Sequence, residues 1–220
     1  MGGLEVVFLD VGGVLYRSER YREAVRRALR ELGARFSDPD FDAEYAACRS
    51  AQSGSFRDRL ARRFLGPEPD MGAVEAHAAR WWRYAPDDLW PDVHPALEAL
   101  AGRYRLGLIA NQPSAVWGAL VRDGLHGYFA VHAVSEDLGL EKPDARIFEH
   151  AMALAGVKPN RAAMVGDRLD YDVRPAKAAG MRAIWVLRGE APDDPPAEQL
   201  AEADAAVRSL AELAGMLERW

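Results

Sequence analysis

Five short apolar runs, each bounded by turn residues, constrain this chain more than any other feature: Leu4–Leu9, Leu106–Ala110, Ala130–Val134, Ala162–Val165 and Ala183–Leu187. They have the length of strands, and a run that is apolar on both faces suits a strand covered on both sides, as in a parallel sheet. Helical patterns lie between the later runs, at Ala115–Val121, Ala145–Ala155 and Val173–Ala179. Gly156 and Gly180 stand just past two of these patterns, where a left-handed cap residue belongs. Strands alternating with helices predict an α/β core with a Rossmann-like parallel sheet and right-handed crossovers. Ala205–Val207 reads as a last strand, followed by a C-terminal helix.

Residues 18–85 break this rhythm. They hold no convincing strand but carry amphipathic helical patterns, among them Tyr21-Ala24-Val25-Ala28-Leu29-Leu32 and Phe56-Leu60-Phe64, punctuated by Pro39, Pro67 and Pro69. The expected organisation is therefore an α/β core from residues 1–17 and 86–220, with an all-helical cap inserted as residues 18–85. The aromatic stretch that leads back to the core (Trp81, Trp82, Tyr84, Trp90) is expected to pack where insert and core join.

Composition narrows the function classes. The formal charge is −6, with Arg and Glu interspersed rather than blocked, which argues against a nucleic-acid partner. No run approaches the length of a membrane span, and the N-terminus has neither a basic region before a long apolar run nor the Ser or Thr at position 6 that acylation of Gly2 would want. The single cysteine, Cys48, excludes an internal disulfide and reads as a helical core residue. The five histidines show no zinc-ligand spacing. A cytoplasmic protein, monomer or homodimer, is expected.

Chemistry is suggested at strand ends. The first strand runs into Asp10-Val-Gly-Gly, and ligands in open α/β sheets bind beyond the carboxyl ends of strands, where strand order reverses. The strand at 162–165 runs likewise into Gly166-Asp167, with Asp170 and Asp172 following at a helix start, where an Asp is also an ordinary cap. Two carboxylates brought together repel unless a cation lies between them, and Mg2+ favours carboxylate oxygens with phosphate oxygens and water. Lys142-Pro143 precedes a helix and could place an ammonium beside such a site. Asn111 ends the strand at 106–110 and could donate to an oxyanion.

In order and spacing these pieces resemble the four motifs of the haloacid dehalogenase-like hydrolases, and the helical insert after the first motif is similar to the subclass with an α-helical cap. The resemblance implies a Mg2+-dependent phosphatase acting on a small phosphorylated molecule. Asp10 would be the nucleophile, Lys142 would neutralise charge, and Asp10, the Gly12 carbonyl, Asp167 and Asp172 would hold the metal. Gly12, Gly13, Asn111 and Arg17 would lie at the substrate. Two departures stand out. The position two after the nucleophile, usually a second Asp serving as general acid and base, is Gly12. The usual hydroxyl residue of the second motif is Ala110. A catalytically impaired member that binds a phosphorylated ligand or a protein partner is thus the alternative. Dehalogenation is disfavoured by the Gly-Asp pair at 166–167, and carbon–phosphorus cleavage by an insert without lysine. Asp-Val-Gly-Gly-Val is also similar to the phosphate loop of sugar kinases, but Glu19–Leu32 reads as a helix where that fold needs a hairpin.

Overall fold

Val6–Leu9 forms β1, Arg105–Ala110 β2, Phe129–Val134 β3, Ala162–Gly166 β4, Arg182–Val186 β5 and Ala205–Val207 β6. The computed structural model describes residues 3–220, so Gly2 lies outside the described residues. The strands pair in the order β3-β2-β1-β4-β5-β6, all parallel. Every residue of β1 is fully buried, as its uninterrupted apolar character requires of a central strand covered on both faces. Pairing reaches one residue before β1, because the Glu5 amide donates to the Arg161 carbonyl at 2.9 Å and its carbonyl accepts from Arg105 at 3.0 Å.

Two compact units divide the chain. One comprises the residues up to Arg17 together with Ala85–Trp220, the other Ser18–Tyr84. The first holds the sheet. Phe8, Ile109, Phe148, Met164 and Trp185 meet in its main apolar cluster. Gly156 and Gly180 adopt φ of 63° and 82°, the left-handed caps expected of them. The helix Val93–Ala101 is not signalled by the sequence pattern: Pro95 lies in its first turn, where a missing N–H costs nothing but hides the start.

The second unit consists of helices Glu19–Glu31, Asp38–Ala51, Phe56–Leu65 and Met71–Trp81. Local chemistry sets three of their starts: Ser37, Ser55 and Asp70 each accept a hydrogen bond from the backbone N–H three residues on. The apolar stripes face inward, burying Val25, Leu29, Phe41, Cys48, Leu60 and Val74. Trp82 packs edge-on against Tyr21 and Tyr84, with ring centroids 5.2 and 5.0 Å apart. No described helix is long and apolar enough to cross a membrane.

Gly107, in the middle of β2, shows how tightly the strand that delivers the first motif is packed. A Cβ there would stand 2.6 Å from the Phe8 ring and 3.1 Å from Val131. Gly107→Ala is expected to cost about 1–3 kcal/mol, read as a lower urea midpoint at unchanged slope. A midpoint equal to wild type would show that the Phe8 ring can yield.

Candidate active site

From β1 the chain moves to β2 and β3 on one side, then returns to β4 on the other side of β1. Strand order thus reverses beside β1, and a crevice opens at the carboxyl ends of β1 and β4. Leu9 lies opposite Val165, and the Asp10 amide donates to the Val165 carbonyl at 2.9 Å. Two neighbouring strands therefore end in Asp10 and Asp167. The helical turn Leu169–Val173 swings Asp172 to the same place, and ligand oxygens of Asp10, Asp167 and Asp172 lie within 4.8 Å of one another.

Glycines make room for these carboxylates. Gly13, at φ +74°, lies so close to Asp167 that a Cβ would sit 1.9 Å from its Oδ2. A Cβ on Gly166 would sit 2.2 Å from Asp172 Cγ, and one on Gly189 (φ +60°) would sit 2.3 Å from Asp167 Oδ2 and 2.4 Å from Gly13 Cα. Glycine is demanded at 13 and 189 by conformation and space together.

Lys142 completes the cluster. Its ammonium is 2.9 Å from Asp10 Oδ1 and 2.6 Å from Asp172 Oδ1, and the residue is 2% exposed. The Asn111 side chain fixes it: Nδ2 donates to the Lys142 carbonyl at 2.8 Å, and Oδ1 accepts from the Lys142 amide at 2.7 Å. Burial alone would depress the lysine, but the Asp10 and Asp172 carboxylates outweigh it and hold the ammonium charged. Burial pushes Asp172 up to about 6, against the pull of Lys142, with Asp10 adding to the rise. Asp167 is raised well above the ordinary carboxylate value by burial and by the Asp10 and Asp172 charges, despite accepting the Glu190 amide at 2.7 Å.

The residues present fit a divalent cation. Asp10 Oδ1 is buried and accepts no well-aligned hydrogen bond, and three carboxylates face a single ammonium. A hard ion with oxygen ligands answers both conditions. Among the described residues no other group of His, Cys, Asp or Glu side chains has such geometry.

The expected substrate residues fare differently. The Gly13 N–H donates to the Tyr16 carbonyl at 2.7 Å, its own carbonyl accepts the Trp90 indole N–H at 3.2 Å, and its missing side chain leaves space for Asp167. Asn111, expected to donate to an oxyanion, has its amide oxygen and one amide hydrogen committed to Lys142. The Arg17 guanidinium lies 4.5 Å over the Trp90 ring and donates to the Asp87 carbonyl at 2.7 Å. Gly12, half-buried, lies in the same loop. Asp170 is paired with Arg168 at 2.7 Å. Trp90 is expected from the sequence only to pack where insert and core join, and Arg188, Gly189 and Glu190 are not expected at the site. The signal for the last three was available, because they follow β5 as Asp10 and Asp167 follow β1 and β4.

Compared with known proteins, residues 4–180 match the haloacid dehalogenase-like hydrolases. The chain is 38% identical to the phosphoserine phosphatase of Thermus thermophilus over 177 residues, which cover 77% of this chain and 68% of that one. It is 34% identical over 205 residues to the glyceraldehyde 3-phosphate phosphatase of Methanopyrus kandleri, covering 88% of each. Among solved structures, the HAD phosphatase of Thermococcus onnurineus aligns with a TM-score of 0.64 and 26% identity over 97% of this chain and 98% of that one.

The raised acids make a stability prediction for metal-free protein. The unfolded chain releases these protons near pH 4, whereas the folded chain holds them to higher pH. The unfolded state then binds fewer protons, so stability falls as pH rises through this window. With chelator present, the thermal midpoint should drop as pH rises from about 4 through about 6 and beyond, and Asp167→Asn should flatten that slope and raise the midpoint at the upper pH. An unaltered slope in the variant would show that Asp167 does not set it.

Proposed function

Because the chain belongs to the haloacid dehalogenase-like hydrolases, we propose that it is a phosphatase of small phosphorylated substrates, with Asp10 as nucleophile. The observation that carries this reading is the convergence of Asp10, Asp167 and Lys142 at one strand-end crevice, with the ammonium 2.9 Å from Asp10 Oδ1. The two relatives named as phosphatases support it.

In the proposed reaction a carboxylate oxygen of Asp10 attacks the substrate phosphorus, and the bond from phosphorus to the leaving oxygen breaks with its electron pair on that oxygen. Water then attacks the aspartyl-phosphate at phosphorus, releasing phosphate and restoring the carboxylate. Lys142 neutralises the attacking carboxylate and the phosphoryl group it approaches. Asn111 keeps the lysine in place and has one amide hydrogen left for a phosphoryl oxygen. Asp10, the Gly12 carbonyl, Asp167 and Asp172 would hold Mg2+, which when bound supplies positive charge against the phosphoryl oxygens. Arg17 is the proposed contact to a further anionic group of the substrate.

Gly12 shapes the choice of substrate. It offers a carbonyl but no proton, and a positioned acid or base is worth about 10²–10⁴ in rate. Substrates whose leaving group departs unprotonated, such as acyl and aryl phosphates, are therefore favoured over sugar phosphates. The same absence, with Ala110 in place of a hydroxyl residue, favours the second reading, a nearly inactive member that binds a phosphorylated ligand or a partner.

Phosphate release from an aryl phosphate, with and without Mg2+, separates the two. The wild type should turn over only with Mg2+, and Asp10→Asn should fall below about 10⁻³ of its rate. Gly12→Asp should extend hydrolysis to poor leaving groups. Equal rates for wild type and Asp10→Asn would sink the phosphatase reading and leave the binder.

A further inference from the structure

Arg188 is a buried guanidinium, 9% exposed, with no part in the chemistry described so far. It stands at the start of the turn after β5, which the Ala191 amide closes by donating to the Arg188 carbonyl at 3.0 Å. One guanidinium nitrogen, Nη1, reaches both oxygens of Asp92, at 2.9 and 2.8 Å. The other, Nη2, donates to the carbonyl of Val14, in the loop that follows Asp10. Its Cζ lies 4.8 Å from the centroid of the Trp90 ring, whose indole N–H donates to the preceding carbonyl of that loop, Gly13. Asp92 is anchored in turn by the Ser209 hydroxyl at 2.6 Å and the Leu210 amide at 2.9 Å.

The two residues after Arg188 touch the acid cluster. Gly189 packs on Gly13 and Asp167, and the Glu190 amide donates to Asp167 Oδ2 at 2.7 Å. One side chain therefore ties the loop after Asp10 to the turn that seats Asp167. We infer that Arg188, locked by Asp92, is a positioning residue that sets the spacing of the Asp10 and Asp167 carboxylates and with it the affinity of the site for a divalent cation. The inference rests on the metal-site reading proposed above. A lysine cannot reproduce it, because one ammonium cannot span Asp92 and the Val14 carbonyl with the fixed fork of a guanidinium. Partners that orient metal ligands are typically worth 10- to 100-fold in metal affinity.

The test is a calorimetric titration of the metal-free full chain with Mg2+ alone, alongside kcat and KM for an aryl phosphate. Arg188→Met should weaken Mg2+ binding about 10- to 100-fold, and saturating Mg2+ should restore most of kcat with little change in substrate KM. Arg188→Lys and Asp92→Asn should weaken it in the same direction, and they carry the test if Arg188→Met does not fold. Leu60→Ala, which empties a fully buried position in the apolar cluster of the four-helix unit, lowers stability at a residue outside this network and should bind Mg2+ as wild type does. If the Arg188 variants lose thermal stability yet bind Mg2+ like wild type, Arg188 is merely structural and the inference is overturned. If the wild type itself takes up no Mg2+, the metal-site reading falls and the inference falls with it.

Discussion

Three carboxylates and one ammonium, all nearly cut off from water, form the arrangement on which the rest of this structure depends. At separations within 4.8 Å, each pair of ionised acids repels by about 3 kcal/mol or more at the effective dielectric of a protein site. Lys142 answers only part of this, since it contacts Asp10 and Asp172 and not Asp167. Among the described residues Asp167 has no cation within ion-pair distance, only the Glu190 amide. Its charge is therefore the least compensated, in line with the rise in its pKa caused by burial and the two neighbouring carboxylates. Positive charge is most wanted on the Asp167 side of Asp10, away from the lysine.

Such a cluster would not survive on a flexible scaffold, and the sheet supplies a rigid one. Asp10 and Asp167 directly follow adjacent, hydrogen-bonded strands, so the spacing of a parallel pair brings their backbones close. Close approach then depends on what is missing. Any side chain at Gly13, Gly166 or Gly189 would occupy the space of a carboxylate. The glycines and the acids are one design: the acids can meet only because the backbone opposite them is bare.

The strands were legible because a run apolar on both faces has few other fates, and all six appear within a residue or two of their sequence limits. Asp10, Asp167 and Lys142 were legible because each sits at a strand end or loop where topology gives position a chemical meaning. What was hidden depended on long-range packing. That Gly13 would spend its amide on Tyr16 and its carbonyl on Trp90 is a property of the folded loop. Asn111 could be placed beside the lysine by motif order, but not seen to grip the lysine backbone. Arg188 and Asp92 lie 96 residues apart, and neither belongs to an apolar period or a motif, so nothing local marks them as partners.

The inventory of the crevice says what kind of chemistry it can favour. Asp10, Asp167, Asp172 and Lys142 bring charge; Asn111 bonds the lysine backbone, the glycines leave room for the carboxylates, and Trp90 and Arg188 donate to carbonyls of the loop after Asp10. At the two places where proton transfer or a hydroxyl contact would be expected, Gly12 and Ala110 offer neither. Preorganised charge is usually the largest single contribution to enzymatic rate, and it serves best where negative charge is already concentrated, as on a phosphoryl group. A leaving group that needs a proton draws no help from it. On the proposed phosphatase reading, a site strong in fixed charge and poor in mobile protons would therefore discriminate among phosphorylated substrates by the basicity of the oxygen that departs, before any other part of the substrate is considered.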